Sequence, residues 1–369
     1  MSRWAWAEVD LDAVRHNVEV LCAIAAPAAV WAVVKADGYG HGAVPVARAA
    51  LDGGAGGLCV ALVQEGIALR DAGLDCPILV LSEQPPTELS GAVRAGLDLT
   101  VYSYAQLEAL AAAGGSQRPV HLKIDTGMRR VGASTADALG LAAAIASSPA
   151  VRLAGVCTHL AIADEPDDPY SATQIEVFEH VLSELALAGH RAPLVHAANS
   201  AAALALPASR FDLVRAGIAV YGISPGRALD QAAAALRPAL SLRARVSHAK
   251  QVNAGDRISY GLRHQFATNT TVATLPLGYA DGVPRRLFAA GAEVLIAGRR
   301  RPIVGVVTMD QLMVDCGNDD IAIGDEAVLI GSQGDASILA TEWADRLGTI
   351  GYEIVCGISA RIDRRYTPA

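Results

Sequence analysis

Apolar runs and amphipathic stretches alternate along the first two thirds of the chain. From residue 11 an amphipathic helical stretch gives way to a turn with Gly, Asp or Pro, then to a short β-branched run, and the unit repeats. The runs are WAVVK at 31–35, preceded by Val30, GLCVAL at 57–62, PILVLS at 77–82, DLTVYS at 98–103, PVHLKID at 119–125, RLAGVCTHL at 152–160, LVHAA at 194–198 and DLVRAG at 212–217. Eight strands alternating with helices over about 210 residues predict an α/β fold of the (β/α)8 TIM-barrel type, whose usual size is about 250 residues. An open doubly wound sheet is the alternative.

After Pro225 the texture changes. SLRARVSHAKQV, TTVATLPL, AEVLIAG, RPIVGVV, QLMVDC and DEAVLIG follow one another with Gly and Asp turns between them, and one late helical segment lies near Ala340 to Leu347. Strands without intervening helices predict a second, mainly β domain. The expected division is 11–225 for the barrel and 226–369 for the β domain, with residues 1–10 (WAWAEVD at 4–10) offering it a further strand.

Composition narrows the function classes. The chain has 369 residues, 52% hydrophobic and 18% charged, which excludes disorder as a dominant state. A net charge of −8 argues against a nucleic-acid partner, since phosphate-backbone binding needs clustered Lys and Arg. The longest apolar run, Leu21 to Val34, is broken by Pro27 and is too short to span a membrane, and the first residues lack a signal-peptide stretch. A cytoplasmic protein is expected. Six scattered cysteines without a CxxC pair signal neither a zinc site nor a disulfide framework.

In a (β/α)8 barrel the active site lies at the C-terminal strand ends, so the polar residues there carry the chemistry. The first strand ends in Lys35, followed by Ala-Asp-Gly-Tyr-Gly-His-Gly, where glycines permit a tight turn. The chain has only 3 lysines against 27 arginines, so a plain surface cation would nearly always be Arg. Only a primary amine condenses with an aldehyde, and that requirement resists a drift towards Arg. A lone solvated lysine is the competing reading.

The segment AVVKADGYGHG resembles the pyridoxal 5′-phosphate (PLP) lysine segment of alanine racemases. Further matching stretches follow in the family's order: KIDTGMRRVG at 123–132, THLAIAD at 158–164, HAANSAA at 196–202, RAGIAVYG at 215–222, SYG at 259–261, PLGYADG at 276–282, MDQ at 309–311 and GYEIVCGIS at 351–359. The resemblance covers nearly the whole chain. It implies a PLP-dependent racemase that interconverts L- and D-alanine by two bases, as a homodimer with shared active sites and a small amino acid as substrate.

Residue by residue, the resemblance implies that Lys35 holds PLP and acts as base on one face of the substrate Cα. Tyr260 of the neighbouring subunit serves the other face, with His196 and Arg285 matching neighbours that lower its pKa; a loop tyrosine packed on an interface is the alternative. Arg215 matches the partner of the pyridine nitrogen, and His159 would hydrogen-bond it, though a histidine at a strand end is otherwise more often structural. Phosphate would be held by Ser200, Gly217, Ile218, Tyr39 and Tyr352, with Asn199 fixing the loop; Ser200 also reads as an ordinary helix cap. Arg130, Met309 and Asp310 match the substrate-carboxylate site.

Lys123 matches a lysine that is carbamylated in many members. An unmodified Lys123 in a plain salt bridge is an equal alternative, but it would repel Arg130 unless an acid intervened. Tyr279 and Tyr352 would line the entrance. Arg129 and Gly351 depart from the family pattern, the first adding a charge beside Arg130 or on the surface, the second widening the entrance. They motivate a rival racemase of different or broader specificity, such as serine. Decarboxylases of basic amino acids share the barrel but place a carboxylate where Arg215 stands. A non-enzymatic PLP-binding barrel protein would lack the β-rich half. No metal is expected.

Overall fold

The computed structural model describes residues 4–367, which divide into two compact units. One contains residues 13–38 and 42–237; the other contains residues 4–12, 39–41 and 238–367.

The chain opens with β1 (Ala5–Asp10) and helix α1 (Leu11–Ala25). Eight strands of a parallel sheet follow: β2 (Ala29–Val33), β3 (Gly57–Val60), β4 (Ile78–Val80), β5 (Asp98–Val101), β6 (Arg118–Lys123), β7 (Val151–Cys157), β8 (Leu194–His196) and β9 (Leu213–Ala216). Their order in the sheet is β8-β7-β6-β5-β4-β3-β2-β9. The two ends approach through Asp212 N–H to Val195 C=O and Arg215 N–H to Ala198 C=O, so the sheet forms a nearly closed barrel. All eight apolar runs read from the sequence are strands, and the open doubly wound alternative does not hold.

The strands form because their residues are β-branched or apolar and buried on both faces, as a parallel sheet covered by helices requires. Leu58, Val60, Leu79, Val80, Leu99, Val101, Val120 and Leu122 are buried. Each such side chain contributes roughly 1.5–3 kcal/mol relative to exposure. Helices fit over them along one stripe. In α1 the buried positions are Ala13, Val14, Asn17, Val18, Leu21 and Ala25. The amide of Asn17 donates to the Val220 and Arg237 carbonyls and accepts from Arg237 N–H, which offsets its burial.

The inner face of the barrel departs from this apolar rule. Side chains two residues apart share a face of a strand, and the series Gly155, Cys157, His159 and the pair His121, Lys123 run upward to the C-terminal rim. His121 is fully buried, its ring 6.3 Å from that of Trp31 and 5.0 Å from that of His196. It faces Gly155 across the β6–β7 pair, next to a register shift after Val120.

The second unit is mainly β. A sheet of β16 (Arg299–Pro302), β15 (Glu293–Ile296), β18 (Glu326–Gln333), β10 (Leu240–Arg245), β1 and β20 (Asp363–Thr367) runs in that order, with β19 (Ala336–Ile338) on β18. Strand β1 is antiparallel to β10 and parallel to β20. Strands β11 (His248–Val252), β14 (Thr270–Leu275) and β17 (Leu312–Asp315) form a second sheet, and β12 (Arg257–Ile258) pairs with β13 (His264–Gln265). Helices α10 (Ala340–Leu347) and α11 (Gly351–Cys356) complete the unit. Among the described residues no helix is long and apolar enough to cross a membrane.

Candidate active site

Lys35 leaves β2 into α2 (Lys35–Tyr39), one turn of left-handed backbone. Ala36, Asp37, Gly38 and Tyr39 all have φ between 51° and 61°. L-residues avoid this region, at roughly 1–2 kcal/mol each, and such outliers persist where the surroundings hold them. Here the Asp37 carboxylate accepts from Ala43 N–H at 2.8 Å, the Asp37 carbonyl accepts from Gly42 N–H, and Gly38 N–H returns to Val34 C=O. The glycines suggest a tight turn, but three of the four left-handed residues are not glycine.

Arg215 on β9 points into the barrel and is 6% exposed. Its Nη1 lies 2.5 Å from His196 Nδ1, and its Nη2 donates to the carbonyls of Thr158 (2.8 Å) and Ala197 (2.9 Å) and approaches His159 Nδ1 at 3.2 Å. Every partner is a neutral acceptor. Burial lowers the Arg215 pKa, with the Cys157 and Cys59 thiols opposing, yet guanidinium stays protonated. Burial first, and then Arg215, hold both His196 and His159 well below the ordinary imidazole value. Both histidines are therefore neutral.

Lys123 ends β6 and is buried. Burial lowers its pKa, and the cations Arg215, Arg130 and Lys35 lower it further. Neither Lys123 nor Arg130 has a carboxylate partner among the described residues. The acids near this rim serve backbone amides instead. Asp125 accepts from Gly127 and Arg129 N–H, Glu65 from Ala36, Ala61 and Leu62 N–H, and Glu83 from Tyr102 N–H and the Ser103 hydroxyl. The rim thus gathers positive charge in a partly desolvated place, which suits an anionic ligand.

Ser200 is the first residue of α9 (Ser200–Ala205), but Asn199 caps the helix by accepting from Ala202 N–H. The Ser200 hydroxyl instead accepts from Gly217 N–H at 2.8 Å and Ala219 N–H at 3.2 Å, tying α9 to the segment that contains Ile218. Arg129 is exposed, with φ 60° and its N–H on Asp125. Arg130 beside it is exposed too.

The remaining candidates lie in the second unit. The Tyr39 and Tyr352 rings are 6.0 Å apart. Gly40 lies close against α11, where a Cβ would meet the Val355 carbonyl, and the Gly40 carbonyl accepts from Arg364 Nε. Gly351 is buried at the start of α11. Tyr260 is 72% exposed. It follows Ser259 at φ 64°, whose hydroxyl donates to the Val306 carbonyl. Tyr279 and Met309 come together because Gly278 packs on the 308–309 backbone and Ala280 N–H bonds Met309 C=O. Asp310 pairs with Arg361 at 2.7 Å, and Arg361 also faces buried Asp281 at 3.5 Å. Arg285 is exposed.

Three contributors escaped the sequence reading. His121 accepts or donates at 2.8 Å to His196 Nε2. Gln174 fixes the 158–161 segment through Ala161 N–H, the His159 carbonyl and Thr126. Thr158 supplies a carbonyl to Arg215 and a hydroxyl to Ile124 C=O. The one available signal was a histidine inside the apolar strand PVHLKID.

A (β/α)8 barrel with a lysine, a buried arginine and two neutral histidines at its C-terminal rim, in a chain that also carries a mainly β unit, has the form of a two-domain barrel enzyme. Family models agree in detail: the alanine racemase N-terminal domain matches residues 9–225 and its C-terminal domain residues 239–366. The chain belongs to the alanine racemase family. It is 48% identical over 368 residues to the alanine racemase of Symbiobacterium thermophilum, covering 99% of this chain and 97% of that one. It is 47% identical over 375 residues to that of Thermobifida fusca, covering 100% of both. Among solved structures, alanine racemase from D-cycloserine-producing Streptomyces lavendulae superimposes with a TM-score of 0.94 at 41% identity, covering 100% of this chain and 98% of that one. The Bacillus anthracis enzyme with bound L-Ala-P gives 0.94 at 41% identity, covering 100% and 96%.

Proposed function

We propose that this member of the alanine racemase family interconverts L- and D-alanine with pyridoxal 5′-phosphate, using Lys35 on one face of the substrate Cα and Tyr260 of the partner subunit on the other. One observation carries the reading. Arg215, buried and surrounded only by neutral acceptors, shares a barrel rim with Lys35, Lys123 and Arg130, while the nearby acids are taken up by backbone amides. Such a rim suits a ligand that carries a phosphate and meets a carboxylate.

The donor set fits the cofactor. Lys35 offers the primary amine. The Ser200 hydroxyl, which accepts from Gly217 and Ala219 N–H and keeps its own hydrogen to donate, and the Ile218 N–H between them offer a phosphate cradle. By resemblance Gly217 adds its backbone and Tyr39 and Tyr352 add phenols while Asn199 caps the loop. When bound, PLP supplies an aldehyde for amine condensation and a ring that delocalises the electrons left by Cα–H cleavage. Arg215 donates and does not accept, so it leaves the pyridine nitrogen without a proton and weakens the ring as an electron sink. That favours return of a proton to Cα over side reactions. His159, neutral and hydrogen-bonded to Arg215, helps hold the guanidinium in place.

Arg130, the Met309 backbone and Asp310 are assigned to the substrate carboxylate. Lys123, depressed by burial and by three cations, is suited to react with carbon dioxide, the amine losing a proton and becoming an anionic carbamate that pairs with Arg130. Tyr260 must lose its proton to act as a base, and Arg285 is the neighbour assigned to that task by resemblance. His196, expected beside it, is instead fully buried with Nδ1 on Arg215 and Nε2 on His121, so it serves Arg215 rather than Tyr260. Tyr279 and Tyr352 border the entrance. Because the second base comes from another copy, the active unit is a homodimer. Six free cysteines support a reducing, cytoplasmic setting. Relatives named alanine racemase do not favour the serine alternative raised by Arg129 and Gly351.

The test is incubation of the PLP-loaded protein with L-alanine in D2O, following Cα deuterium and chirality together, beside Tyr260→Phe. Deuterated D-alanine from wild type and near-arrest of the variant are expected. Inversion of another amino acid in preference to alanine would overturn the substrate, and bound PLP with no exchange on any amino acid would overturn the enzyme.

A further inference from the structure

From Arg215 a chain of polar groups runs along the inner face of the barrel to two residues, His121 and Asp98, that the reaction above does not use. Arg215 Nη1 meets His196 Nδ1 at 2.5 Å, His196 Nε2 meets His121 Nδ1 at 2.8 Å, and His121 Nε2 faces Asp98 Oδ2 at 3.8 Å. Both imidazoles are fully buried, and Asp98 starts β5 at the opposite end of the barrel from the rim.

We propose that His121, backed by Asp98, is a positioning residue for the racemase: it accepts the Nε2–H of His196, locks that ring in one tautomer, and thereby holds Arg215 in place. The inference rests on the functional reading above only for the reaction it serves.

Every proton position follows from one fact. A guanidinium only donates, so His196 Nδ1 must present a lone pair to Arg215. A neutral imidazole has one N–H, which is then on His196 Nε2 and points at His121 Nδ1. His121 Nδ1 must accept, which places its own N–H on Nε2. That atom is buried without a hydrogen-bond partner, and the Asp98 carboxylate is the acid it faces. The chain has a single direction, from the donor-only arginine to the acceptor-only carboxylate. Without an acceptor at residue 121, His196 is free to place its proton on Nδ1, turning an N–H toward a guanidinium N–H and pushing Arg215 away. Gly155 makes the arrangement possible, since a Cβ there would run into the His121 ring.

The protein is labelled in its histidines with heavy nitrogen and examined by long-range proton–nitrogen correlation at neutral pH, with PLP and stripped of it. Signals are assigned by their loss in His121→Asn and His196→Asn. Both residues should show the neutral Nε2–H pattern in both forms. In His121→Asn, whose amide oxygen replaces Nδ1 as acceptor, His196 should keep that pattern. In His121→Leu it should become a mixture of tautomers, and kcat for alanine should fall about tenfold, as supporting-residue changes commonly do, with KM unchanged and most of the loss restored by Asn. A proton on His196 Nδ1 in wild type overturns the proposal, as does an altered His196 in His121→Asn; these two decide the matter even if the leucine variant does not fold. A racemase whose His121→Leu form keeps kcat overturns the role alone, whereas a wild type that racemises nothing overturns the functional reading as well.

Discussion

Gly155 stands directly opposite His121 in the parallel pair of β6 and β7, and the absence of its side chain leaves the space that the imidazole occupies. Gly155→Ala would place a methyl group against Nδ1 of a fully buried ring. Overpacking of this kind costs typically about 1–3 kcal/mol. Urea denaturation should show a lower midpoint with an unchanged slope, and a midpoint equal to wild type would mean the ring shifts without penalty.

Acid should destabilise the fold through His196. Its native pKa lies well below 6.5 because of burial and the Arg215 charge. Below about pH 6.5 the unfolded chain binds a proton that the native site refuses. The stabilising contribution is therefore complete above that pH and is lost as pH falls towards the depressed native value, at up to about 1.4 kcal/mol per pH unit. Denaturation midpoints between neutrality and mild acid should fall less steeply for His196→Asn, by about one proton. Equal slopes would show that His196 protonates in the native state.

Lys123 offers a chemical test. In bicarbonate buffer enriched in heavy carbon, wild type should give one carbamate carbon signal that disappears on acidification and is missing from Lys123→Ala. A protein with no such signal keeps Lys123 as an amine, and then Lys123 and Arg130 face each other as uncompensated cations.

Lys35→Arg separates charge from nucleophilicity. The guanidinium preserves the positive rim but cannot condense with an aldehyde. The variant should lose the cofactor absorbance of a lysine-linked aldehyde and at least about a thousandfold in kcat, the scale on which removing an essential group acts. Retained racemisation would exclude Lys35 as the attachment point.

Local pattern carried much of this in the sequence. Lys35, Lys123, His159 and Arg215 were readable because each ends an apolar run, and strand ends are where a parallel barrel concentrates function. The scarcity of lysine sharpened two of them, since two of the three lysines stand at the rim. Ser200 was legible as a helix start but not as a ligand of Gly217 and Ala219, because those amides are 17 and 19 residues away and meet it only when β9 packs beside α9. Residues 39–41 read as an extension of the lysine turn, yet they belong to the second unit, where Gly40 packs on α11.

Periodicity and residue type alone determined that eight parallel strands precede a β-rich half and that amine, guanidinium and imidazole groups occupy the strand ends, because both features depend on neighbours a few positions away. Only the tertiary structure decided the placing of residues 39–41 in the second unit, the hold of the Ser200 hydroxyl on Gly217 and Ala219, and the contact of His121 with His196 across 75 residues of chain. Those depend on segments far apart in the chain packing side by side, and in a packed interior a single missing Cβ at Gly155 leaves the space that the His121 ring occupies.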